Sequence, residues 1–559
     1  MGKASRKKSK LSREVPSGER RPGFSRSGSP QKPGIGTFLQ KPLAAIVLIM
    51  VFGFFAYSNT FHSPFQWDEV SQLLNNPVIK DLRNFTSGGR GYDYNPRRYI
   101  GYLTFALNYH FGGFDVIGYH IVNLLIHIAN ALLVYFLVLL TFRTPSLRQS
   151  SDSSPPVPAW IALFSALLFV SHPVQTEAVT YVIQRFASLA TFFYLLSVVM
   201  YVKGRLAGEK QGNTEGRLFS GPSLLFYLAS LISVVCAMKT KEIAFTLPFV
   251  IVLYEFIFFK SPVRKRLLFL LPVLLTLIIV PLSVLHGDKP LGEMLSDVSE
   301  KTKVQTGMSR WEYLVTEMRV IVTYIRLIFL PINQNLDYDY PLYHSLVTPS
   351  VFLSFLVLLA IFGLGVYLLI RGMKNNPPSH AVPYRLIGFG VLWFFITLSV
   401  ESSIIPIVDV IFEHRLYLPL VGVSMAVTTG AVIAAKRLRM ERIVIPALVF
   451  VSLLLSGVTY ARNALWGDKM SFWQDVVEKS PNKARPHYNF GLAYSSHGQW
   501  DRAITEYQTA LRLKPDYAKA HTNLGVAYSS QGQWDRAIAE YKAALGLKPD
   551  DAMAHNNLG

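Results

Sequence analysis

From residue 42 to residue 461, apolar stretches of about 17 to 25 residues alternate with short polar segments, and that length of helix crosses a bilayer core at 1.5 Å per residue. Eleven can be drawn, at 42–61, 117–141, 158–172, 186–202, 222–238, 243–259, 267–286, 350–370, 385–401, 415–435 and 442–461. The pattern predicts an all-α polytopic membrane helix bundle. The segment 311–331, WEYLVTEMRVIVTYIRLIFLP, is different. In it Glu312, Arg319 and Arg326 recur every seven residues, with Glu317 nearby. That charged stripe is costly in hydrocarbon and natural at an interface, so we read this segment as an interfacial or re-entrant helix.

From about residue 464 the pattern changes to a 34-residue period. ARPHYNFGLAYSSHGQWDRAITEYQTALRLKPDY (484–517) and AKAHTNLGVAYSSQGQWDRAIAEYKAALGLKPDD (518–551) match at 23 of 34 positions. The period resembles the tetratricopeptide repeat. There, small residues at Gly491, Ala493, Gly525, Ala527, Ala503 and Ala537 let paired helices approach, and Pro515 and Pro549 end the second helix. A weaker half-repeat, MSFWQDVVEKSPNK, precedes them, and a third begins at Ala552. A solenoid needs its last apolar face covered, so a longer gene product is expected.

Composition adds orientation. The chain of 559 residues is 51% hydrophobic and only 16% charged, with one cysteine, Cys236. A simple soluble enzyme, a collagen and a disulfide-rich secreted protein are excluded. Of the net charge of +20, residues 1–41 supply eleven Lys and Arg against two Glu. This tail, rich in Ser, Gly and Pro, is expected to be disordered and cytoplasmic, and the first apolar segment to remain as an anchor. The Lys and Arg of the short loops fall on one side when 311–331 is not counted as a crossing. Eleven crossings then place the repeats outside the cytoplasm. The expected divisions are a basic tail at 1–41, a membrane domain at 42–463 with outer loops at 62–116 and 287–349, and repeats at 464–559.

Ionisable groups at the outer face of such a body are the candidates for chemistry. In FHSPFQWDEVSQLLNNPVIKDL, Asp68 and Glu69 closely follow the first span, with aromatic walls from Phe65 and Trp67. A carboxylate there can act as base toward a hydroxyl, or can merely cap a helix or close an ion pair. Arg97 and Arg98 precede an amphipathic aromatic run and suit either a lipid-linked phosphate or ordinary headgroups. His120, Asn123 and His127 share one helical face, where interhelix hydrogen bonding is the simpler role. Further outer loops bring His172, Glu177 and Arg185; Lys239, Lys241 and Glu242; and Glu413, His414 and Arg415. Their convergence on one membrane face favours a site for an anionic amphiphile. Asp337 and Asp339, with no basic neighbour nearby in sequence, are read as loop or acceptor-contact residues.

The order of motifs is similar to a known family. WDE followed by LLNNPVI, then GGFDVIGYHIVNLLIHIANALLVY, SHPVQTEAVTYVIQR, LIFLPINQNLDYDYP, EHRLYLP and YARNALWGDKMSFWQDVVEKSPNKARPHYNFGLAY lead straight into the repeats. This order resembles the GT-C integral-membrane glycosyltransferases, specifically the transmembrane and tetratricopeptide repeat-containing protein O-mannosyltransferases and their prokaryotic relatives. The resemblance implies a GT-C fold, a polyprenyl- or dolichyl-phosphate-linked monosaccharide donor and inverting transfer to a protein hydroxyl outside the cytoplasm. That outside is the periplasm beyond a bacterial inner membrane, or the lumen of the endoplasmic reticulum.

It also implies a catalytic acid residue in the first outer loop, mapping onto Asp68 with Glu69 beside it. Arg97, Arg98, Arg185, Lys241, His414 and Arg415 are the candidates for the donor phosphate. No bound cofactor or metal is expected, and no nucleic acid. The repeats are expected to recruit the protein acceptor. Two rivals are a membrane-anchored scaffold for envelope proteins and a transporter of lipid-linked sugars. The first does not need so many spans, and the second predicts charges deep within them.

Overall fold

The computed structural model describes residues 42–86, 88–148, 156–210, 221–283, 308–374, 382–403 and 406–558. The tail 1–41 and residues 284–307 of the second outer loop lie outside these. Each of the eleven apolar stretches carries a helix, and no strand occurs among the described residues. In chain order the longer helices of the membrane part begin with α1 (Pro42–Tyr57), α2 (Tyr99–Gly112), α3 (Val116–Thr141), α4 (Pro156–Ser171), α5 (Arg185–Lys210), α6 (Gly221–Met238) and α7 (Leu247–Phe258). They continue with α8 (Val263–Leu275), α9 (Arg310–Phe329), α10 (Pro349–Met373), α11 (Val382–Leu398), α12 (Pro419–Arg437) and α13 (Glu441–Trp466).

Among the described residues, seven helical segments are long and apolar enough to cross a membrane singly. An eighth is the pair Val157–Ser171 and Pro173–Val179, bent by 53° where Pro173 removes an amide donor. The stretch at 243–259 becomes a 3-10 turn, Glu242–Thr246, followed by α7 of only 12 residues. On the outside of the bundle Leu225, Ile232, Leu271, Leu275 and Phe450 are each more than half exposed. Apolar surface of that extent needs lipid as its solvent. The chain is an integral membrane protein.

Helices α10, α11 and α12 pack in succession, each contact through a glycine pair, Gly365 with Gly388 and Gly390 with Gly422. A Cβ on Gly390 would stand 2.3 Å from the Gly422 carbonyl oxygen, and one on Gly422 would stand 2.4 Å from that of Gly390. Small residues let membrane helices gain van der Waals contact by close approach. Gly390→Ala is expected to destabilise the bundle by about 1–3 kcal/mol through overpacking. Gly430→Ala on α12, where nothing lies within 4 Å, is the matched control in a detergent melting assay.

Helix α9 starts with a capping box. The Ser309 hydroxyl accepts from the Glu312 amide, and the Glu312 carboxylate accepts from the Ser309 amide at 2.8 Å. Its inner face buries Tyr313, Glu317, Val320 and Tyr324, so Glu317 is turned inward.

After α13 come α14 (Lys469–Lys479), which is the half-repeat, then the pairs α15 (Ala484–Ser496) with α16 (Trp500–Leu513) and α17 (Ala518–Ser530) with α18 (Trp534–Leu547), and α19 (Ala552–Leu558). Gly491 faces the Tyr507 ring and Gly525 the Tyr541 ring; an added Cβ would lie 2.5 and 2.6 Å from them. The repeated glycine therefore seats the repeated tyrosine. The fold is a helical membrane bundle followed by a tetratricopeptide-repeat solenoid. Asn335 donates to Ser480 at 2.8 Å and Lys479 to the Gln334 carbonyl at 2.9 Å, so the solenoid docks onto the second outer loop.

Candidate functional site

The first outer loop makes a tight reversal at Trp67, whose φ of 42° is in the left-handed region that a bulky residue rarely adopts. Two things hold it there. The buried Glu69 carboxylate accepts from the amides of Gln66 at 2.6 Å and Ile183 at 3.1 Å. The Trp67 ring stacks on Tyr181 at 6.4 Å, and the Tyr181 hydroxyl takes the Asp68 amide at 3.1 Å. Glu69 thus turns inward as a structural clasp, and burial pushes its carboxyl up to about 8. Asp68 is left facing outward into a cavity of about 1280 Å³.

Six of the eight sequence candidates line that one cavity: Asp68, Arg97, Arg98, Lys241, His414 and Arg415. Arg97 and Arg98, just ahead of α2, reach Glu242 at 3.3 and 3.8 Å. Burial works to raise the Glu242 carboxyl, but Arg98 and Arg97 hold it below the ordinary value. Lys241 pairs with Glu401 at 2.7 Å. The imidazole of His414 donates from Nδ1 to Glu177 at 2.6 Å. Burial, then Lys241, drives its pKa well down, so the ring is neutral and not a cation. Arg415 is almost wholly enclosed: it donates to the carbonyls of Val410 at 2.8 Å and Asp409 at 2.6 Å and lies 3.6 Å from Glu317.

Partial burial raises the Asp68 carboxyl above the ordinary carboxylate value, and Arg485 pulls it back. Away from Asp68 the cavity becomes apolar, lined by Phe249, Val280, Phe362 and Phe395. Phe249 and Phe362 are themselves exposed.

Two candidates are elsewhere. Glu69 is the clasp just described, and Arg185 is fully buried at the start of α5. The Arg185 guanidinium donates to Asn123 at 2.6 Å, Asn108 at 2.5 Å and the Tyr119 carbonyl at 3.0 Å, and it lies over the Phe105 ring. Its donors are consumed in tying α2 and α3 to α5. On α3, His120 meets the Ser63 carbonyl, Asn123 the Val179 carbonyl, and His127 both Tyr417 and the Val170 carbonyl; the last bond joins α3 to α4, whereas Ser63 and Tyr417 lie outside the helices. Phe65 packs edge-on against Tyr119 in the core, so of the two expected aromatic walls only Trp67 faces the cavity.

Reasoning from sequence missed Glu401, which pairs with Lys241, and Asp409. It also missed that Asp337, buried on the second outer loop, receives Arg485 and Lys483 from the repeats. Asp339 instead gives its amide to Ser480 at 2.9 Å.

The family model described as TPR repeat matches residues 491–532 and 527–559. The human protein named Protein O-mannosyl-transferase TMTC4 is 23% identical over 492 residues, covering 78% of this chain and 62% of its own length. Protein O-mannosyl-transferase F38B6.6 of Caenorhabditis elegans is 24% identical over 477 residues, covering 83% and 61%. Protein O-mannosyl-transferase Tmtc3 of Drosophila melanogaster is 24% identical over 512 residues, covering 81% and 53%. The chain spans between half and two thirds of the length of these relatives. Residues 464–559 are 96 of 559, so matches over about four fifths of the chain run well into the membrane helices as well as any repeats. Over about four fifths of its length the chain is thus similar to proteins named protein O-mannosyl-transferases, and its C-terminal part matches the TPR repeat.

Proposed function

We propose that the chain is a membrane glycosyltransferase that moves mannose from a polyprenyl- or dolichyl-phosphate carrier to a protein hydroxyl on the extracytoplasmic side. The observation that carries this reading is one cavity whose lining joins a carboxylate and several cations to a set of apolar side chains, Phe249, Val280, Phe362 and Phe395 among them. An amphiphile with an anionic head and a hydrocarbon tail has those same two halves. In this reading the N-terminus is cytoplasmic, and the repeats share the outer face with the cavity.

Asp68 is the base. It takes the proton of the acceptor hydroxyl as the hydroxyl oxygen bonds to the anomeric carbon, the bond from that carbon to the phosphate oxygen breaks, and the carrier phosphate leaves with the electron pair. Attack from the side opposite the phosphate inverts the anomeric centre. Arg97 and Arg98 are partly exposed and Lys241 is buried at the cavity wall, and each can trade a carboxylate partner for the phosphate as its charge grows. Arg415 and His414 act behind them, the first by its field and the second by holding Glu177. The repeats bring the polypeptide to this face.

The deciding experiment incubates the purified chain with radiolabelled polyprenyl-phosphate-mannose and a polypeptide acceptor. Label should pass to the polypeptide in step with release of polyprenyl phosphate, and no transfer to any hydroxyl-bearing polypeptide would refute the reading.

Replacing both Arg97 and Arg98 by Ala is expected to raise the KM for donor on the order of 10- to 100-fold, from the loss of charge-assisted hydrogen bonds. Their side chains are 46% and 36% exposed, so the melting temperature should barely change. Donor titrations with a parallel melt test both halves of this prediction.

A further inference from the structure

The conformation that presents Asp68 is held partly from outside the membrane part. Trp67 is enclosed by rings from three other segments: Tyr181 ahead of α5, Phe412 ahead of α12, and Trp473 on α14, all at 6.4 to 6.5 Å. Its open side is covered by the Arg485 guanidinium, 4.6 Å from the ring centre. Arg485 is on α15, the first helix of the first full repeat.

The same guanidinium donates to Asp337 at 2.6 and 2.5 Å and to Asp409 at 3.1 and 2.6 Å. Asp409 in turn gives its carbonyl to Arg415. One cation of the solenoid therefore touches the loop carrying Asp68, the loop carrying Arg415 and the second outer loop. A planar fork with five donors can satisfy two carboxylates and still lie flat on an aromatic face, which an ammonium cannot do.

We propose that Arg485 is a positioning residue: by clamping Trp67 against Asp337 and Asp409, it sets the Asp68 carboxylate in the cavity and makes the docked first repeat part of the active site. This rests on the reading of Asp68 as the base. A left-handed Trp is strained, and such a backbone persists only where its surroundings over-determine it. Without the guanidinium, one wall of that enclosure is gone.

The charged groups around Asp68 are Arg485, Asp409, Lys519 and Asp337, with Glu69 beside it in sequence and Tyr181 on its amide. Across the same cavity are Arg97, Arg98, Lys241 and Arg415 with Glu242 and Glu401, and His414 is neutral. Among these, Arg485 is the strongest influence lowering the Asp68 pKa, so its loss moves that pKa upward.

The test uses the full chain. Arg485→Gln should lower kcat on the order of 10- to 100-fold, the size expected when a reacting group is displaced by about an ångström. The acid limb of the pH–rate profile should move to higher pH. Arg485→Lys should restore the limb, because it restores the charge, but only part of kcat. A second readout needs no activity. In a Cys236→Ser chain carrying Asp68→Cys, the rate of reaction with a water-soluble thiol reagent should change several-fold when Arg485→Gln is added.

An unchanged profile together with unchanged thiol reactivity would overturn the proposal, and so would a loss of rate that Arg485→Lys leaves wholly unrepaired with the limb unmoved. If Asp68→Asn proves active, the assignment of Asp68 as the base fails by itself, and thiol reactivity still decides whether Arg485 places residue 68.

Discussion

Asp68→Asn is expected to lower kcat by about 10²–10⁴-fold, the usual worth of a positioned general base. The fold should be unaffected, because the change keeps the side chain's shape and the amide that binds Tyr181 belongs to the backbone. Radiolabel transfer measured beside a detergent melting curve checks both. The pH dependence has a definite sign. The base acts when deprotonated, and burial places the Asp68 pKa above the ordinary carboxylate value, so activity falls as pH drops through that raised pKa.

The neighbouring carboxylate gives the contrast. Glu69→Gln keeps one oxygen but turns an amide nitrogen toward one of the amides of Gln66 and Ile183. It should cost about 1–3 kcal/mol of stability for a buried unsatisfied donor. The remaining folded enzyme should lose far less kcat than Asp68→Asn does, because its base is still present. Two adjacent acids would then be separated into a chemical and a structural role by a single measurement on each.

What was legible in sequence and what was not divides on physical grounds. The helices were legible because a bilayer imposes their length, and the repeats because 23 of 34 identical positions preserve the Gly491–Tyr507 and Gly525–Tyr541 fit. The loops between the apolar stretches as the place of the cavity's charges were legible too, since hydrocarbon excludes them. Arg185 was misassigned to the phosphate because its partners, Asn108 and Asn123, belong to α2 and α3. Nothing local distinguishes a guanidinium spent on three helices from one kept for a ligand.

Asp337 was read as lacking a basic neighbour for the same reason. Arg485 is 148 positions away and arrives only when the solenoid docks. The stretch at 243–259 looked like a full crossing because α7 is apolar but for Glu255. The 3-10 turn ahead of it brings Lys241 and Glu242 to the cavity.

Arg415→Met gives the largest expected loss of stability, and it is asymmetric. The Arg415 side chain is 1% exposed and the Glu317 side chain not at all, 3.6 Å apart. Removing the cation strands a carboxylate in the interior and frees the carbonyls of Val410 and Asp409 as well, so the cost should be about 3–5 kcal/mol. Glu317→Gln leaves Arg415 with those carbonyls and with Glu401 still close enough to act on it, so the cost should be nearer 1 kcal/mol. Melting curves of the two variants in detergent test this order, and equal losses would show that the pair's own attraction dominates. Because Asp409 also carries Arg485, loosening the Arg415 loop should expose the junction with the solenoid, and limited proteolysis near residue 480 should speed up in Arg415→Met but not in Glu317→Gln.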